Sequence, residues 1–327
     1  MICEFEHNIF TGSSDKFKEL ALQIFRFQYQ HNPIYRQYTD NLYTNSASIK
    51  LVEKIPFLPI SFFKTQDIVC GTFEPQAIFE SSGTTQTIQS HHKVKDIAIY
   101  TESFLRAFEI FYGPVNEYCV LALLPSYLER TNSSLVRMTD ELIKKSGHPQ
   151  SGFYLYDHQE LASVLQQLEH SKQKTILIGV TFALLDFADQ FPMPLKNTII
   201  VETGGMKGRR DEMIREEVHS LLKQAFQLTE IHSEYGMTEL LSQAYSNGEG
   251  IFNCPPWMKI LIREEEDPLA VTAISGKGVI NIIDLANIYS CSFIATDDAG
   301  RLFSDGSFEV LGRVDYSDMR GCSLLAV

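Results

Sequence analysis

Apolar positions along the chain fall into three regimes. Near the start, Phe17, Leu20, Ile24 and Phe27 recur at three- and four-residue spacing behind Ser13, Ser14 and Asp15, with Pro33 beyond them, which predicts a capped amphipathic helix. The proline-punctuated PFLPISFFK (56–64) reads as irregular chain, with Phe62 and Phe63 as core anchors. From about Phe73 to Asn247, short continuous apolar runs alternate with helical periods. YCVLALL (118–124), TILIGV (175–180) and TIIVE (198–202) have the composition of strands buried on both faces. Between and around them, helices are predicted on Ile97, Tyr100, Phe104, Phe108 and Phe111 (closed by Gly113-Pro114), near 134–145, 161–168 and 182–189, and over 209–226. The last of these carries Met213, Ile214, Val218, Leu221, Leu222, Ala225 and Phe226 on one side. Such alternation predicts a layered α/β sheet. After about Asn253 the helical period disappears, and MKILIR, LAVTAI, GVINIIDL, SFIAT and SFEVLG follow one another between Gly, Asp and Pro, as in a smaller β-rich subdomain. The expected organisation is a helical segment over 1–75, an α/β core over 76–250, and a β-rich subdomain with a short tail over 251–327.

Composition narrows the function classes. With 44% hydrophobic and 21% charged residues the 327-residue chain is an ordinary globular one. Its 28 basic and 41 acidic residues leave a net charge of -13, which opposes nucleic acid or an anionic membrane surface as the main partner. The apolar stretches 120–124 and 175–188 fall short of a membrane span, and the second contains Gly179 and Asp186. The opening MICEFEHNIF lacks the basic-then-apolar order of a signal peptide. Six cysteines (3, 70, 119, 254, 291, 322) show no CxxC pairing and no histidines at zinc spacing, so reduced thiols in a cytoplasm are expected.

Four constellations could carry chemistry. Directly after the strand-like QAIFE stand Ser81, Ser82, Gly83, Thr84 and Thr85, where a glycine among hydroxyls lets backbone and side-chain donors converge as a polyphosphate requires. No lysine follows at the P-loop position, and the same composition also makes a plain turn. Gly204 and Gly205 end a predicted buried strand, where ligands bind in α/β sheets, or else they form a simple strand-to-helix turn. EYGMTE (234–239) offers a ring, a glycine, a hydroxyl and a carboxylate, suited to stacking, close approach, phosphate donation and a hard cation. At the end, Asp297, Asp298, Arg313 and Asp315 are expected in turns between short strands, where an aspartate can accept both hydroxyls of a ribose; Asp305-Gly306 reads as a turn only.

Taken in order, SSGTT, the GG at a strand end, YGMTE, TDD with GR, and GRVD resemble the motif series of the adenylate-forming superfamily, the acyl-CoA ligases and their relatives. More closely, PFLPISFFK, ESSGTTQTIQS, LLPSYLERTNSSL, TGGMKG, EYGMTELLSQAY, TDDAGR and RGCSL resemble the acyl-protein synthetases (LuxE-like) of bacterial fatty-acid reductase systems, from about Pro56 to the C-terminus. The resemblance implies the N-terminal α/β region of adenylate-forming enzymes, with ATP and Mg²⁺ as cofactors. Ser81, Ser82, Gly83, Thr84 and Thr85 would wrap the β- and γ-phosphates. Gly204 and Gly205 would flank the adenine and acyl ends, Tyr235 would lie against the adenine with Gly236 and Met237 beside it, and Thr238 would bond the α-phosphate. Glu239 would hold Mg²⁺, Asp298 would take the ribose hydroxyls, and Arg313 would reach the same nucleoside. A carboxylic acid is already ionised at neutral pH, so its attack on the α-phosphorus requires positioning and charge neutralisation, and no general base.

The superfamily continues past GRVD into a lid domain carrying a lysine, whereas this sequence stops at Val327, soon after Asp315; an absent lid is therefore expected, with Arg320, Lys207 or a partner as sources of the cation. The resemblance also implies an acyl-accepting cysteine near the C-terminus, which RGCSL supplies as Cys322. Beside Arg320 and Gly321 its thiolate would be favoured and mobile; the alternative is a small buried hydrophobe. Cys3, Cys70, Cys119 and Cys291 read as structural. His91 and His92 are adjacent, so on a strand they point to opposite faces and cannot chelate together, and a surface or core role is expected for them. The expected activity is that of an acid–thiol ligase, an acyl-protein synthetase. It would turn a carboxylic, specifically fatty, acid into acyl-adenylate, transfer the acyl group to Cys322, and pass it to a partner such as an acyl reductase. The alternatives are direct transfer to coenzyme A and a non-catalytic nucleotide-binding subunit.

Overall fold

The structure, a computed structural model, describes residues 6, 8–11, 14–42, 49–81, 88–125, 130–204, 213–265, 267, 269–272 and 274–314. Helix α1 (Ser14–His31) buries Phe17, Leu20, Ala21, Ile24 and Phe25, while Phe27, which the spacing also puts on this face, is only half-buried. Asn32 then opens α2 (Pro33–Leu42), its side chain accepting from the Tyr35 amide at 3.0 Å. PFLPISFFK is more ordered than its prolines imply. Leu58–Pro59 forms strand β1, and Ile60–Lys64 is a 3₁₀ turn with Phe63 buried. Proline offers no amide to a neighbouring strand, so the pairing of β1 ends after two residues.

Strands β2 (Ala77–Glu80) and β3 (His91–Val94) form a separate hairpin, followed by α3 (Ile97–Tyr112), capped by Asp96 and stopped at Gly113. The predicted alternation comes next: β4 (Cys119–Leu123), α4 (Ser134–Ser146), β5 (Gly152–Phe153), α5 (His158–Ser171), β6 (Thr175–Gly179), α6 (Thr181–Gln190), β7 (Thr198–Glu202), α7 (Arg215–Phe226) and β8 (His232–Tyr235). Helix α7 departs from the expected face. Ile214 is its exposed N-cap, and Val218, Leu222 and Phe226 make a narrow buried stripe from which Leu221 lies off, 42% exposed. The β-rich tail gives β9 (Ala244–Ser246), β10 (Ile251–Asn253), β11 (Met258–Arg263), β12 (Val271–Thr272), β13 (Gly276–Asp284), β14 (Phe293–Leu302) and β15 (Phe308–Arg313).

Among the described residues, all these strands except β2 and β3 join one mixed sheet, ordered β12-β11-β13-β14-β15-β10-β9-β8-β7-β6-β4-β5, with β1 parallel to β14. The parallel block β5-β4-β6-β7-β8 has its carboxyl ends on one side, where Glu202 and Tyr235 are the last residues of β7 and β8. Asp297 and Asp298 lie within β14, and Arg313 within β15, not in turns as the sequence suggests; Asp298 and Arg313 are cross-strand partners. The ten-residue strand absorbs the acidic pair because a register shift at Ala299/Gly300 bends it there.

The turn after β8 is anchored from within the core. Asp284, the last residue of β13, accepts from Leu241 N (2.7 Å), Ser242 Oγ (2.6 Å) and Ala286 N (3.1 Å). Ser242 meets Ser103 at 3.1 Å, and Trp257 Nε1 donates to Ser103 at 2.9 Å. Burial pushes the Asp284 carboxyl up to about 6, and these hydrogen bonds oppose the rise. Removing it strands several buried donors, so Asp284→Ala should lower the unfolding free energy by about 3 kcal/mol. Asp284→Asn, which keeps one acceptor, should lose less. Urea titration of the three proteins measures both, and equal losses in the two variants would contradict the assignment.

Candidate active site

Strand β3 sends its two histidines to opposite faces. His91 is exposed, 3.5 Å from Glu80, while His92 is 1% exposed and edge-on to the Phe63 and Phe79 rings at 5.7 and 6.4 Å. The buried ring does not chelate; it clamps. Its Nδ1 lies 2.9 Å from the Thr238 carbonyl oxygen and its Nε2 lies 3.0 Å from Asn287 Oδ1, while Asn287 Nδ2 donates to the Glu239 carbonyl at 2.7 Å. Gln28 of α1 donates in turn to the Asn287 and Ile288 carbonyls, both at 3.0 Å. The Thr238–Glu239 backbone is thus held by three segments remote in sequence. Desolvation lowers the His92 pKa to about 4, so the ring is neutral at physiological pH.

Clamped this way, Glu239 is 6% exposed, and burial raises its pKa; the Ser90 hydroxyl, Lys64 and Arg313 oppose that rise. Ser90 also closes the neck of the hydroxyl-rich loop, its amide donating to Ser81 Oγ at 3.0 Å and its carbonyl accepting from Ser81 N at 3.2 Å. On the other side of the turn, Tyr235 packs its ring against Phe252 and Phe308 and donates its hydroxyl to Asp298 Oδ2 at 2.8 Å. Arg313 Nε is 3.5 Å from Asp298 Oδ1, but its side chain is 86% exposed, so the pair holds the guanidinium loosely.

Gly204 sits one strand over, with φ +67°, a conformation that favours glycine, and its amide donates to Glu202 Oε1 at 2.7 Å. Thr181 donates to the same oxygen. Glu202's charge acts on Glu234, whose pKa burial raises to about 8, leaving that carboxyl largely protonated at neutral pH. A Cβ at Gly236 would come within 2.4 Å of Glu234 Oε1, so the Glu234 carboxyl occupies the space beside this glycine.

The structure therefore brings Ser81, Thr238, Glu239, Tyr235, Asp298 and Arg313 into one region, with Gly236 and Met237 in the same turn and Gly204 on the neighbouring strand. Ser82, Gly83, Thr84, Thr85, Gly205 and Cys322 lie outside the described residues, as do Lys207 and Arg320. His92, Asn287 and Asp284 carry no motif in the sequence, because their partners are distant along the chain, whereas Ser90 closes the ESSGTTQTIQS motif. The described thiols are poor nucleophiles: burial pushes Cys119 up to about 11, Cys291 up to about 12, and Cys70 and Cys254 higher still.

The sequence model of the LuxE acyl-protein synthetases matches residues 10–326. The chain belongs to the acyl-protein synthetase family. No curated protein matches the chain in sequence. Its fold is that of adenylate-forming ligases. ATP-bound MatB from Rhodopseudomonas palustris aligns at a TM-score of 0.54 with 15% identity, over 72% of this chain and 48% of that one. A 2-hydroxyisobutyryl-CoA ligase in the postadenylation state, in complex with 2-HIB-AMP, aligns at 0.60 with 11% identity, over 92% and 68%. The chain thus spans about half the length of MatB. Among the described residues no helix is long and apolar enough to cross a membrane.

The clamp gives this protein a pH signature. His92 is neutral when folded and titrates near 6.5 when unfolded, so acid favours the unfolded chain: its contribution is complete above about pH 6.5 and is lost as pH falls toward 4. The difference in unfolding free energy between wild type and His92→Gln should shift by about 2–3 kcal/mol between pH 7.5 and 4.5, in the direction of relative gain for the variant. A pH-independent difference would show that the ring is not desolvated.

Proposed function

We propose that this acyl-protein synthetase activates a carboxylic acid, specifically a fatty acid, with ATP and carries the acyl group as a thioester on Cys322. The observation that supports the reading best is the Tyr235–Asp298 hydrogen bond, which joins the YGMTE and TDD segments at 2.8 Å across 63 residues and leaves each Asp298 oxygen a further lone pair for a ribose hydroxyl. The ATP bound by MatB is consistent with it. Substrate carboxylate attacks the α-phosphorus, the bond to the β-phosphate oxygen breaks, and pyrophosphate leaves. Thr238 donates to the α-phosphate, on a backbone that His92 and Asn287 hold still. The Cys322 thiolate then attacks the acyl carbonyl, AMP departs, and the acyl group moves on to a partner such as an acyl reductase. The high pKa values of the described thiols support an acceptor outside their number.

Glu239 fits Mg²⁺. A single buried carboxylate beside a hydroxyl suits a hard cation that takes its other ligands from phosphates and water, and no cluster of three acidic, His or Cys side chains among the described residues competes with it. When bound, the ion would offset negative charge on the phosphates.

Acid-dependent ATP–pyrophosphate exchange is the test, run over a panel of fatty-acid chain lengths. Glu239→Ala should lose at least 100-fold in exchange, by analogy with the removal of one transition-state donor. Cys322→Ser should keep the exchange and lose a hydroxylamine-sensitive acyl label on the protein. Persistence of the label would move the acceptor elsewhere, and AMP release that requires coenzyme A without any labelled protein would replace the thioester route.

A further inference from the structure

The cations around this site are not equivalent. A groove of about 800 Å³ runs beside the β2–β3 hairpin, its lining including Phe63, Lys64, Asp67, Glu80, His91 and Lys93. Two of its ionic pairs are closed, Lys93 Nζ to Asp67 Oδ2 at 2.7 Å and His91 Nδ1 to Glu80 Oε1 at 3.5 Å. Lys64 is exposed, and no carboxylate among the described residues lies within 4.0 Å of it.

The backbone beneath Lys64 is nevertheless fixed from two directions. Phe63, the residue before it, is buried with its ring 5.7 Å from His92, the clamp on Thr238. Just upstream, Leu58 and Pro59 pair with Ile294 and Ala295 on β14, the strand that carries Asp298. The groove neighbour Glu80 directly precedes Ser81, at the neck of the hydroxyl-rich loop. The Lys64 charge also acts on Glu239. Among the described residues, a lysine with an anchored backbone and no salt-bridge partner thus lies near enough to Glu239, the carboxylate suited to a cation, for its charge to act there.

We propose that Lys64 is the cation that meets the β- and γ-phosphates of ATP in this protein, an assignment that rests on the adenylating reading above. The ammonium is a compact point charge with three donors, suited to a polyphosphate whose oxygens approach from several directions. It leaves the nucleoside and α-phosphate to Tyr235, Asp298 and Thr238. The lysine therefore distinguishes ATP from AMP.

Equilibrium binding of Mg·ATP and of AMP, measured by calorimetry on wild type, Lys64→Ala, Lys64→Arg and Lys93→Ala, tests this. Lys64→Ala should weaken ATP by 10- to 100-fold, the scale of a charge-assisted hydrogen bond, and change AMP by less than about twofold. Lys64→Arg should recover most of the ATP affinity, and Lys93→Ala, whose lysine is already paired with Asp67, should match wild type. If Lys64→Ala binds ATP as wild type does, or loses ATP and AMP equally, the assignment is overturned while the parent reading stands. Wild-type protein that binds neither nucleotide would overturn both.

Discussion

Carbonyl groups at the end of a buried strand must find donors without help from water, and in this protein that requirement falls on Thr238 and Glu239. His92 and Asn287 meet it, and Gln28 of the first helix meets the same requirement for Asn287 and Ile288. The consequence is mechanical. The turn cannot relax without breaking bonds to a hairpin and to an interstrand loop that the N-terminal helix holds in turn. Segments remote in sequence therefore support the candidate site, and the Asp284 network, which fixes Leu241 and Ser242, continues the same support two residues further on.

Carboxylates in this region divide by environment. Desolvation raises the Asp284 pKa to about 6, and desolvation with the nearby Glu202 charge raises that of Glu234 to about 8. Each is spent on internal structure, Asp284 as an acceptor for backbone amides and Glu234 as a largely neutral group whose carboxyl fills the space a side chain at Gly236 would need. Glu239 and Asp298 are also nearly buried, yet each is flanked by cations that favour its ionised form, Lys64 and Arg313 for the first and Arg313 for the second. Four acids in one neighbourhood thus have two kinds of role, separated by which positive charges reach them.

The motifs that could be read from sequence are those whose chemistry is concentrated locally. YGMTE and TDD place ring, hydroxyl and carboxylate within a few residues, and the buried runs at 118–124, 175–180 and 198–202 are strands because nothing else accommodates continuous apolar side chains. His92 could not be read this way, since its acceptor is Thr238, 146 residues on, and strand geometry says only that it points away from His91. Asn287 is equally silent in the midst of DLANIY. PFLPISFFK misleads for a different reason: prolines signal irregular chain, but a strand of two residues needs so few amides that β14 accepts it. Leu221 shows the limit of periodicity, because a helix on a sheet buries a narrower stripe than its apolar residues could cover.

The contrast between buried anions and exposed cations bears on how such a site works. Asp298 and Glu239 are already held by hydrogen bonds, so their orientation would cost little on binding a nucleotide as proposed. Arg313 and Lys64 keep their long side chains in solvent, at the ends of elements whose backbones are anchored. That exposure would let both side chains follow the phosphates of the proposed reaction as pyrophosphate departs. On the proposed reading, a rigid anionic floor with adjustable cationic walls would hold the nucleoside through both half-reactions and let the leaving group go. Fully buried lysine or arginine would have to be paired in the empty site, and breaking those pairs would oppose ATP binding by the desolvation each charge had already undergone.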